Sequence, residues 1–342
     1  MNNNSSNLNV QRGVSLQPHN TMAVSASADY LLEVASCNSL QEAISFAKKK
    51  NLSILILGEG SNSVFANNYH GLVILNRIMG LEVISEDHAQ VEIKVGAGEN
   101  WHALVEQCIN RGWFGLENLA LIPGCVGAAP MQNIGAYGVE LSDSLTRVQY
   151  IDLKNMEMLE LENAECQFAY RESCFKRELA GKVAITSISL RLSKRASVNV
   201  SYPALGKSFD HTPSPREVFL KVCEIRRAKL PMPEDIPNSG SFFKNPMVDL
   251  QTHQRLKSEY PNLVSFKVGD EFKLAAAWLI DQAGWKNKQI DGVGVHQEQA
   301  LVITNPLHRP GRCVVNFALA IQQDIRQKFA VKLEIEPRIH GQ

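Results

Sequence analysis

The sequence predicts an α+β chain of two or three subdomains. Three observations carry this. The chain has 342 residues, more than one typical domain of about 100–200 residues. Strand-like and helix-like segments are mixed from end to end, without the regular β-α-β succession of a doubly wound sheet. Pro231, Pro233 and Pro237 then form a proline-rich linker that marks a domain boundary.

The composition narrows the class of function. Hydrophobic residues make up 44% and charged residues 20%, as in an ordinary globular enzyme. Lys plus Arg and Asp plus Glu are 35 each. A zero net charge argues against a general nucleic-acid or anionic-membrane binder, but not against one anionic small molecule held by local cations. No apolar run approaches the ~18 residues of a membrane span. The polar N-terminus, MNNNSSNLNVQRG, lacks the charged-then-apolar pattern of an export signal, so a disordered tail over residues 1–14 and a cytoplasmic location are expected. The seven cysteines are odd in number and contain no C-x-x-C pair, which excludes a disulfide framework or zinc site. The nine histidines show no H-E-x-x-H spacing, and no metal is expected.

In order along the chain, Ser39 and Glu42 have capping-box spacing. Leu40, Ala43, Ile44 and Ala47 follow at helical period, and Lys48, Lys49 and Lys50 suit the negative end of that helix. Residues 52–57 read as a buried strand that stops at Gly58-Glu59-Gly60-Ser61-Asn62. Strands are expected at 72–75 and 91–95, and a helix at 100–110. Residues 116–139, LENLALIPGCVGAAPMQNIGAYGV, are too rich in Gly, Ala and Pro for one regular element and too apolar for a solvent loop. Strands resume over 145–161 and 183–192, with a helix over 216–229. Beyond the linker come a helix over 274–282, a strand over 300–303, an amphipathic helix around Val314–Ile325, and a last strand in which Val331, Leu333 and Ile335 alternate and Pro337 ends the run.

Several segments offer chemistry. Glycines after a strand, at 58–62, let backbone N–H groups turn toward one anion, although a tight turn explains them equally on their own. Gly96-Ala97-Gly98 is a weaker lookalike and reads as a turn and helix start. Small residues at Pro123, Gly124, Val126 and Gly127 permit close approach of a flat ligand, and Gln132, Asn133, Gly135, Ala136 and Tyr137 add polar edges. Arg171, in Tyr170-Arg171-Glu172-Ser173, can clamp a carboxylate or simply pair with Glu172. Ser241, in Gly240-Ser241-Phe242-Phe243-Lys244-Asn245-Pro246, is not in a hydrolase nucleophile elbow. Glu334 and Glu336 share one face of the last strand, and alternation does not choose between them. Arg226, Arg227 and Lys229 form a basic cluster at a helix end, suited to an anion or to solvent.

The ordered motifs ILGEGSNSVF, VGAGENWHALV, GLENLALIPGCVGAAPMQNIGAYGVE, FAYRES, GSFFKNP and LAAAWLIDQAGWK resemble the UDP-N-acetylenolpyruvoylglucosamine reductase family (MurB), type I, over nearly the whole chain. The resemblance implies a vanillyl-alcohol-oxidase (PCMH) type FAD-binding fold in two subdomains plus a smaller α/β substrate-binding domain. The implied limits are 15–230 for the FAD-binding part, split near 80, then 231–330, then a C-terminal strand over 331–342 returning to the active site. It implies that FAD meets Gly58, Glu59, Gly60, Ser61 and Asn62 at its pyrophosphate, and Pro123, Gly124, Val126, Gly127, Gln132, Asn133, Gly135, Ala136 and Tyr137 elsewhere. NADPH is the implied co-substrate and UDP-N-acetylglucosamine enolpyruvate the substrate. Arg171, Ser241 and Glu336 match the catalytic positions, with hydride from flavin N5 and a proton from Ser241. Tyr202, Arg226, Lys229 and Asn245 match substrate-binding positions. A monomer without nucleic-acid or membrane partners is expected. The chain departs from the family at Met22-Ala23, at Ala128-Ala129 in place of a serine pair, and at Glu334-Ile335-Glu336-Pro337, where relatives place proline between the two acids. A flavin oxidase on the same fold and a non-catalytic nucleotide-sugar binder are the rival readings.

Overall fold

The computed structural model describes residues 8–341. The chain divides into two compact units. The first comprises residues 8–14, Ala28–Glu59 and His70–Arg226; the second comprises Ser15–Ser27, Gly60–Tyr69 and residues 227–341. The boundary therefore falls inside the 58–62 glycine loop.

The first unit holds two sheets. One has the strand order Gln11–Ser15, Ser27–Val34, Tyr69–Asn76, Ile54–Leu57. The last two run parallel, with Leu55 opposite Val73. The helix Cys37–Lys49 buries Leu40, Ala43, Ile44 and Ala47 against Leu32, Val34, Leu72 and Ile74. The stripe is as expected, but its start is corrected. Ser36 is the N-cap and makes a capping box with Ser39, so the Ser39–Glu42 pair does not cap the helix. Two serines three apart satisfy the same orphan amides as the more familiar Ser and Glu.

The disordered tail is corrected as well. Residues 1–7 lie outside the described residues, but Gln11–Ser15 is a strand at the edge of the first sheet. Its side chains are mostly exposed, and an edge strand of that kind can be polar without ceasing to be a strand.

The second sheet is antiparallel, in the order Met158–Glu162, Leu145–Asp152, Val183–Ser193, Gln90–Gly96, Leu81–Glu86. The helix Trp101–Asn110, capped by Asn100 Oδ1 on the Ala103 amide at 2.9 Å, packs Leu104, Val105 and Cys108 into its core. The helix Pro215–Lys229 adds Val218, Phe219 and Val222. Residues 116–139 form short 3-10 turns, Glu117–Leu119 and Val126–Gln132, and a two-residue strand pair. Much of their buried backbone is satisfied by the protein itself. Trp101 Nε1 donates to the Leu119 carbonyl at 3.0 Å, and Asn118 Nδ2 donates to the carbonyls of Tyr137 and Asn199 at 2.8 Å each.

The second unit has a four-stranded sheet in the order Asn238–Ser241, Val302–Thr304, Val293–Val295, Gln289–Ile290. A three-stranded sheet is built from Met247–Val248, Glu271–Leu274 and Ser265–Val268. The expected helix at 274 begins at Ala276, because Leu274 still pairs across the three-stranded sheet with Ser265. The long helix is Gly311–Phe329.

The last strand is displaced. Val331 and Leu333 are buried and Lys332 and Glu334 exposed, as the alternation predicts, yet residues 331–334 carry no ladder. Ile335 makes an isolated bridge to Phe243, and the regular strand is Arg338–His340, parallel to Ser63–Phe65. Pro337 offers no N–H to continue a ladder. Before it the chain bonds to residues 242–244, and after it to residues 62–66.

His340 closes that strand. It is buried and stacked on Phe65 with ring centres 5.0 Å apart, and its Nε2 lies 3.2 Å from Ser63 Oγ. Burial, helped by the Arg338 charge, holds its pKa down to about 4. Between that value and the unfolded value of about 6.5 the unfolded chain binds more protons, so stability present above about pH 6.5 falls as the pH drops toward 4. The expected loss is about 2 kcal/mol between about pH 7.5 and pH 5. Denaturant unfolding at the two pH values checks this, and His340→Phe should flatten the dependence.

Candidate active site

Within the first unit, three glycine-containing segments far apart in sequence meet. A methyl group on Gly58 would lie 2.2 Å from Cys125 Sγ, and one on Gly127 would lie 2.5 Å from the Ala97 side chain. Asn100 bridges to Cys125 and donates from Nδ2 to Glu59 Oε1 at 2.9 Å. The amides of Val126 and Gly127 donate to the carbonyls of Glu99 and Ala97 at 2.8 and 2.9 Å. The structure thus brings Gly58, Glu59, Val126 and Gly127 together and joins Gly124 to them through the Trp101 amide. It also adds Ala97, Glu99 and Asn100, which sequence reasoning left as a turn and helix start. The second Gly-Ala-Gly was the signal. Gly58 and Gly127 are required by this packing, since side chains there would collide with neighbouring segments.

The other half of the loop belongs to the second unit. Gly60 sits at φ +66°, and a methyl group on it would lie 2.0 Å from the His19 carbonyl oxygen. The Gly60 carbonyl accepts from the Thr21 amide, the Ser61 carbonyl from the Thr21 hydroxyl at 3.3 Å, and the Asn62 carbonyl from the Arg338 amide at 2.9 Å. Because a trans peptide points its C=O and N–H in opposite directions, the amides of residues 61–63 face away from those donors. A glycine loop is the kind of backbone that can turn its amides toward a pyrophosphate, so the residues present are compatible with a dinucleotide such as FAD.

A second cluster in the first unit surrounds Arg171. Ala169 and Glu172 exchange backbone hydrogen bonds of 3.1 and 3.0 Å, making Tyr170-Arg171 the tip of a tight turn. Arg171 has φ +57°, a conformation that normally favours glycine. Its Nη2 donates to the Gly135 carbonyl at 3.0 Å, Ser173 Oγ donates to the Met131 carbonyl at 2.8 Å, and Asn133 Nδ2 donates to Glu140 Oε2 at 2.7 Å. The turn is thereby docked on the segment that carries Asn133, Gly135, Ala136 and Tyr137. Glu172, the neighbour considered as a partner for Arg171, lies 3.8 Å from Lys176.

Tyr137 meets Tyr202 edge to face at 5.3 Å, and Tyr202, 41% exposed, precedes the short helix Pro203–Gly206. Arg226 turns inward while Arg227 and Lys229 are exposed, so the basic cluster splits. Arg226 Nε is buried without a hydrogen-bond partner. Burial pushes the Arg226 pKa down, Tyr137 opposes this, and the positive charge of Arg171 adds to the depression. Burial raises the Tyr137 pKa, with Arg226 pulling it back. Two guanidinium groups that repel each other, one with an unsatisfied N–H, are groups suited to an anion.

The second unit carries Ser241 at the end of Asn238–Ser241, followed by buried Phe242 and Phe243. Glu334 and Glu336, equivalent by alternation, differ in space. Glu334 pairs with Lys244 at 2.6 Å, whereas the half-buried Glu336 is held by its amide on the Phe242 carbonyl at 3.0 Å, next to Ser241. Asn245 Oδ1 accepts from the Ala276 amide at 2.9 Å and so caps the helix Ala276–Gln282, leaving its NH₂ as the group available to a ligand. Among the described residues no cluster of metal-ligating side chains occurs, and no helix is long and apolar enough to cross a membrane.

Comparison with known proteins agrees with this layout. Residues 28–162 match the family described as FAD binding domain, and residues 231–340 match the family described as UDP-N-acetylenolpyruvoylglucosamine reductase, C-terminal domain. The UDP-N-acetylenolpyruvoylglucosamine reductase of Shewanella sp. (strain ANA-3) is 46% identical over 328 residues, covering 96% of each chain. That of Aliivibrio fischeri is 42% identical over 325 residues, covering 95% of this chain and 93% of its own. The crystal structure of the enzyme from Thermus caldophilus superposes with a TM-score of 0.65 at 22% identity, over 97% of this chain and 99% of that one. The α+β class and the vanillyl-alcohol-oxidase type FAD-binding fold expected from the sequence are those of this protein. The chain belongs to the UDP-N-acetylenolpyruvoylglucosamine reductase family and is a flavin-dependent oxidoreductase.

Proposed function

We propose that the protein uses NADPH to reduce UDP-N-acetylglucosamine enolpyruvate to UDP-N-acetylmuramate, a step of peptidoglycan precursor synthesis, as a cytoplasmic monomer. The observation that carries the substrate reading is the Arg171–Arg226 pair with its unsatisfied Nε, groups suited to an anion. The enolpyruvyl carboxylate and the two phosphates are such groups.

FAD, held by Gly58 to Asn62, by Pro123, Gly124, Val126 and Gly127, and by Gln132 to Tyr137, supplies the two-electron hydride chemistry when bound. The side chains supply the rest. Arg171 stabilises the negative charge that develops on the enolpyruvyl group as its double bond is reduced, acting from a fixed position. Glu336 holds or shares a proton on the carboxylate side of that group. Ser241 delivers a proton to carbon, and because a serine hydroxyl is a weak acid its acceptor must be strongly basic. Arg226, Lys229 and the Asn245 amide bind the anionic ends of the substrate, and Tyr202 covers it.

Mixing NADPH-reduced enzyme with the enolpyruvyl UDP-sugar, and separately with oxygen, tests the proposal. Rapid reoxidation by the UDP-sugar and slow reoxidation by oxygen is the expected result. Rapid reoxidation by oxygen with no effect of the UDP-sugar would identify a flavin oxidase on the same fold.

A further inference from the structure

In the first unit, the segment between the strand Val183–Ser193 and the helix Pro215–Lys229 carries Tyr202, and its far end is tied down by a histidine. Residues 202–209 are one hydrogen-bonded piece. The Tyr202 carbonyl accepts from the Leu205 and Gly206 amides at 2.9 Å each, the Leu205 carbonyl from the Ser208 amide at 3.0 Å, and the Gly206 carbonyl from the Phe209 amide at 3.4 Å. Leu205 is buried, and Phe209 packs against the same core. Two residues on, His211 lies between two carboxylates. Its Nδ1 is 3.0 Å from Asp210 Oδ1, on its own segment, and its Nε2 is 3.1 Å from Glu217 Oε1, on the helix. Asp210 and Glu217 are the charged groups that face it, and the Phe209 ring meets it edge to face at 6.0 Å. Glu217 is fixed for this contact. Its other oxygen accepts from the Ser214 amide and hydroxyl at 2.8 and 2.7 Å. Those two bonds, and then the one to His211, hold the Glu217 pKa down to about 2. Ionised carboxylates only accept hydrogen bonds, and a neutral imidazole has a single N–H, so only the imidazolium satisfies both contacts at once.

We propose that His211 is a positioning residue: as an imidazolium it clasps the Tyr202 segment to the start of the helix Pro215–Lys229, and the hold on Tyr202 loosens when the ring loses its proton. The neutral ring keeps at most one of the two contacts, and keeps it without its charge. The bonds to Asp210 and then Glu217 raise the His211 pKa. The clasp is therefore complete below about pH 6.5, and it is lost as the pH rises through the raised value. The clasp itself stands on the geometry around His211; its effect on the substrate rests on the reading of Tyr202 as a substrate contact.

The test compares the holoenzyme with its His211→Gln and Glu217→Gln variants from about pH 6 to about pH 9, a range that spans imidazole titration. Hydrogen exchange of the bonded amides of Leu205, Gly206, Ser208 and Phe209 is measured without substrate, and the KM and kcat for the enolpyruvyl UDP-sugar separately. Ratios between proteins at one pH cancel the intrinsic pH dependence of exchange. At the lowest pH the parent's amides are expected to exchange about 2- to 5-fold more slowly than those of His211→Gln, the scale of an exposed ion pair, and the difference should fade toward the highest pH. Glu217→Gln, which keeps the cap but not the charge, should make it fade at a lower pH. The parent's KM, relative to that of His211→Gln, should rise by a similar factor over the same range, with the kcat ratio unchanged. Equal exchange at low pH would overturn the clasp, and a difference of the same size at every pH would reduce His211 to a packing role and overturn it equally. A difference in exchange that fades with pH, beside the same KM in parent and variant, would leave the clasp standing and sink the reading of Tyr202 instead.

Discussion

Replacing Ser241 with alanine is expected to leave the NADPH-consuming half of turnover near its normal rate and to slow the substrate-reducing half by about 10³-fold, the scale of removing a positioned proton donor. The change deletes one hydroxyl and leaves Phe242 and Phe243, both buried, to hold the local backbone through the Leu301 and Glu336 bonds. Folding should therefore survive. Rapid-mixing measurements of the two halves check the split. Equal slowing of both would contradict the assigned role, because a proton donor to the substrate carbon has no part in the reaction with NADPH. Ser241→Cys restores a donor with a lower pKa at nearly the same position, and partial recovery of the second half would support proton transfer over mere packing.

Arg171→Gly should separate stability from activity. Arg171 occupies the left-handed region at φ +57°, which costs a non-glycine residue about 1–2 kcal/mol. Glycine removes that strain but forfeits the bond to the Gly135 carbonyl and the charge beside Arg226. Losing a like charge relieves repulsion, so the variant is expected to be as stable as the parent or more stable by about 1 kcal/mol. Turnover should fall by about 10²- to 10³-fold, as when a preorganised charge is removed from a developing negative centre. Arg171→Ala should be equally inactive but less stable than the glycine variant, since it keeps the strain. Arg171→Lys retains the charge without the planar fork and should recover only part of the activity. Denaturant unfolding and steady-state rates of the three variants form one set. A glycine variant markedly less stable than the alanine variant would mean that the turn does not store strain.

Strain at this position has a physical rationale. Two backbone bonds between Ala169 and Glu172, and the contacts of Ser173 and Asn133 with the neighbouring segments, over-determine the turn. An arginine can then be held in a conformation it would not choose. Residues kept in sparsely populated conformations by their surroundings cluster at reaction sites.

What could be read from the chain by itself was whatever local chemistry encodes. The helix stripe Leu40, Ala43, Ile44 and Ala47, the apolar run that became Ile54–Leu57 and the long helix Gly311–Phe329 all follow from periods of two and 3.6 residues. The ordered glycine, arginine and serine motifs likewise pointed to the family before any contact was known. Long-range partners decided the rest. The strand Gln11–Ser15 exists because an edge position tolerates polar side chains, so its composition looked like a tail. Glu334 and Glu336 are indistinguishable by alternation and are separated only by Lys244 and the Phe242 carbonyl, some ninety positions away in sequence. Arg226 differs from Arg227 only in which way the helix turns it. That the regular strand lies beyond Pro337, at Arg338–His340, is set by the partner segment that begins there. The contact of Gly58 with Cys125 has no signature at either position. A sequence determines conformation where the deciding atoms lie within a turn or two of each other; burial, charge pairing and close packing between remote segments are settled only when the chain is folded, because nothing local distinguishes the residue that will meet a partner from its neighbour that will meet water.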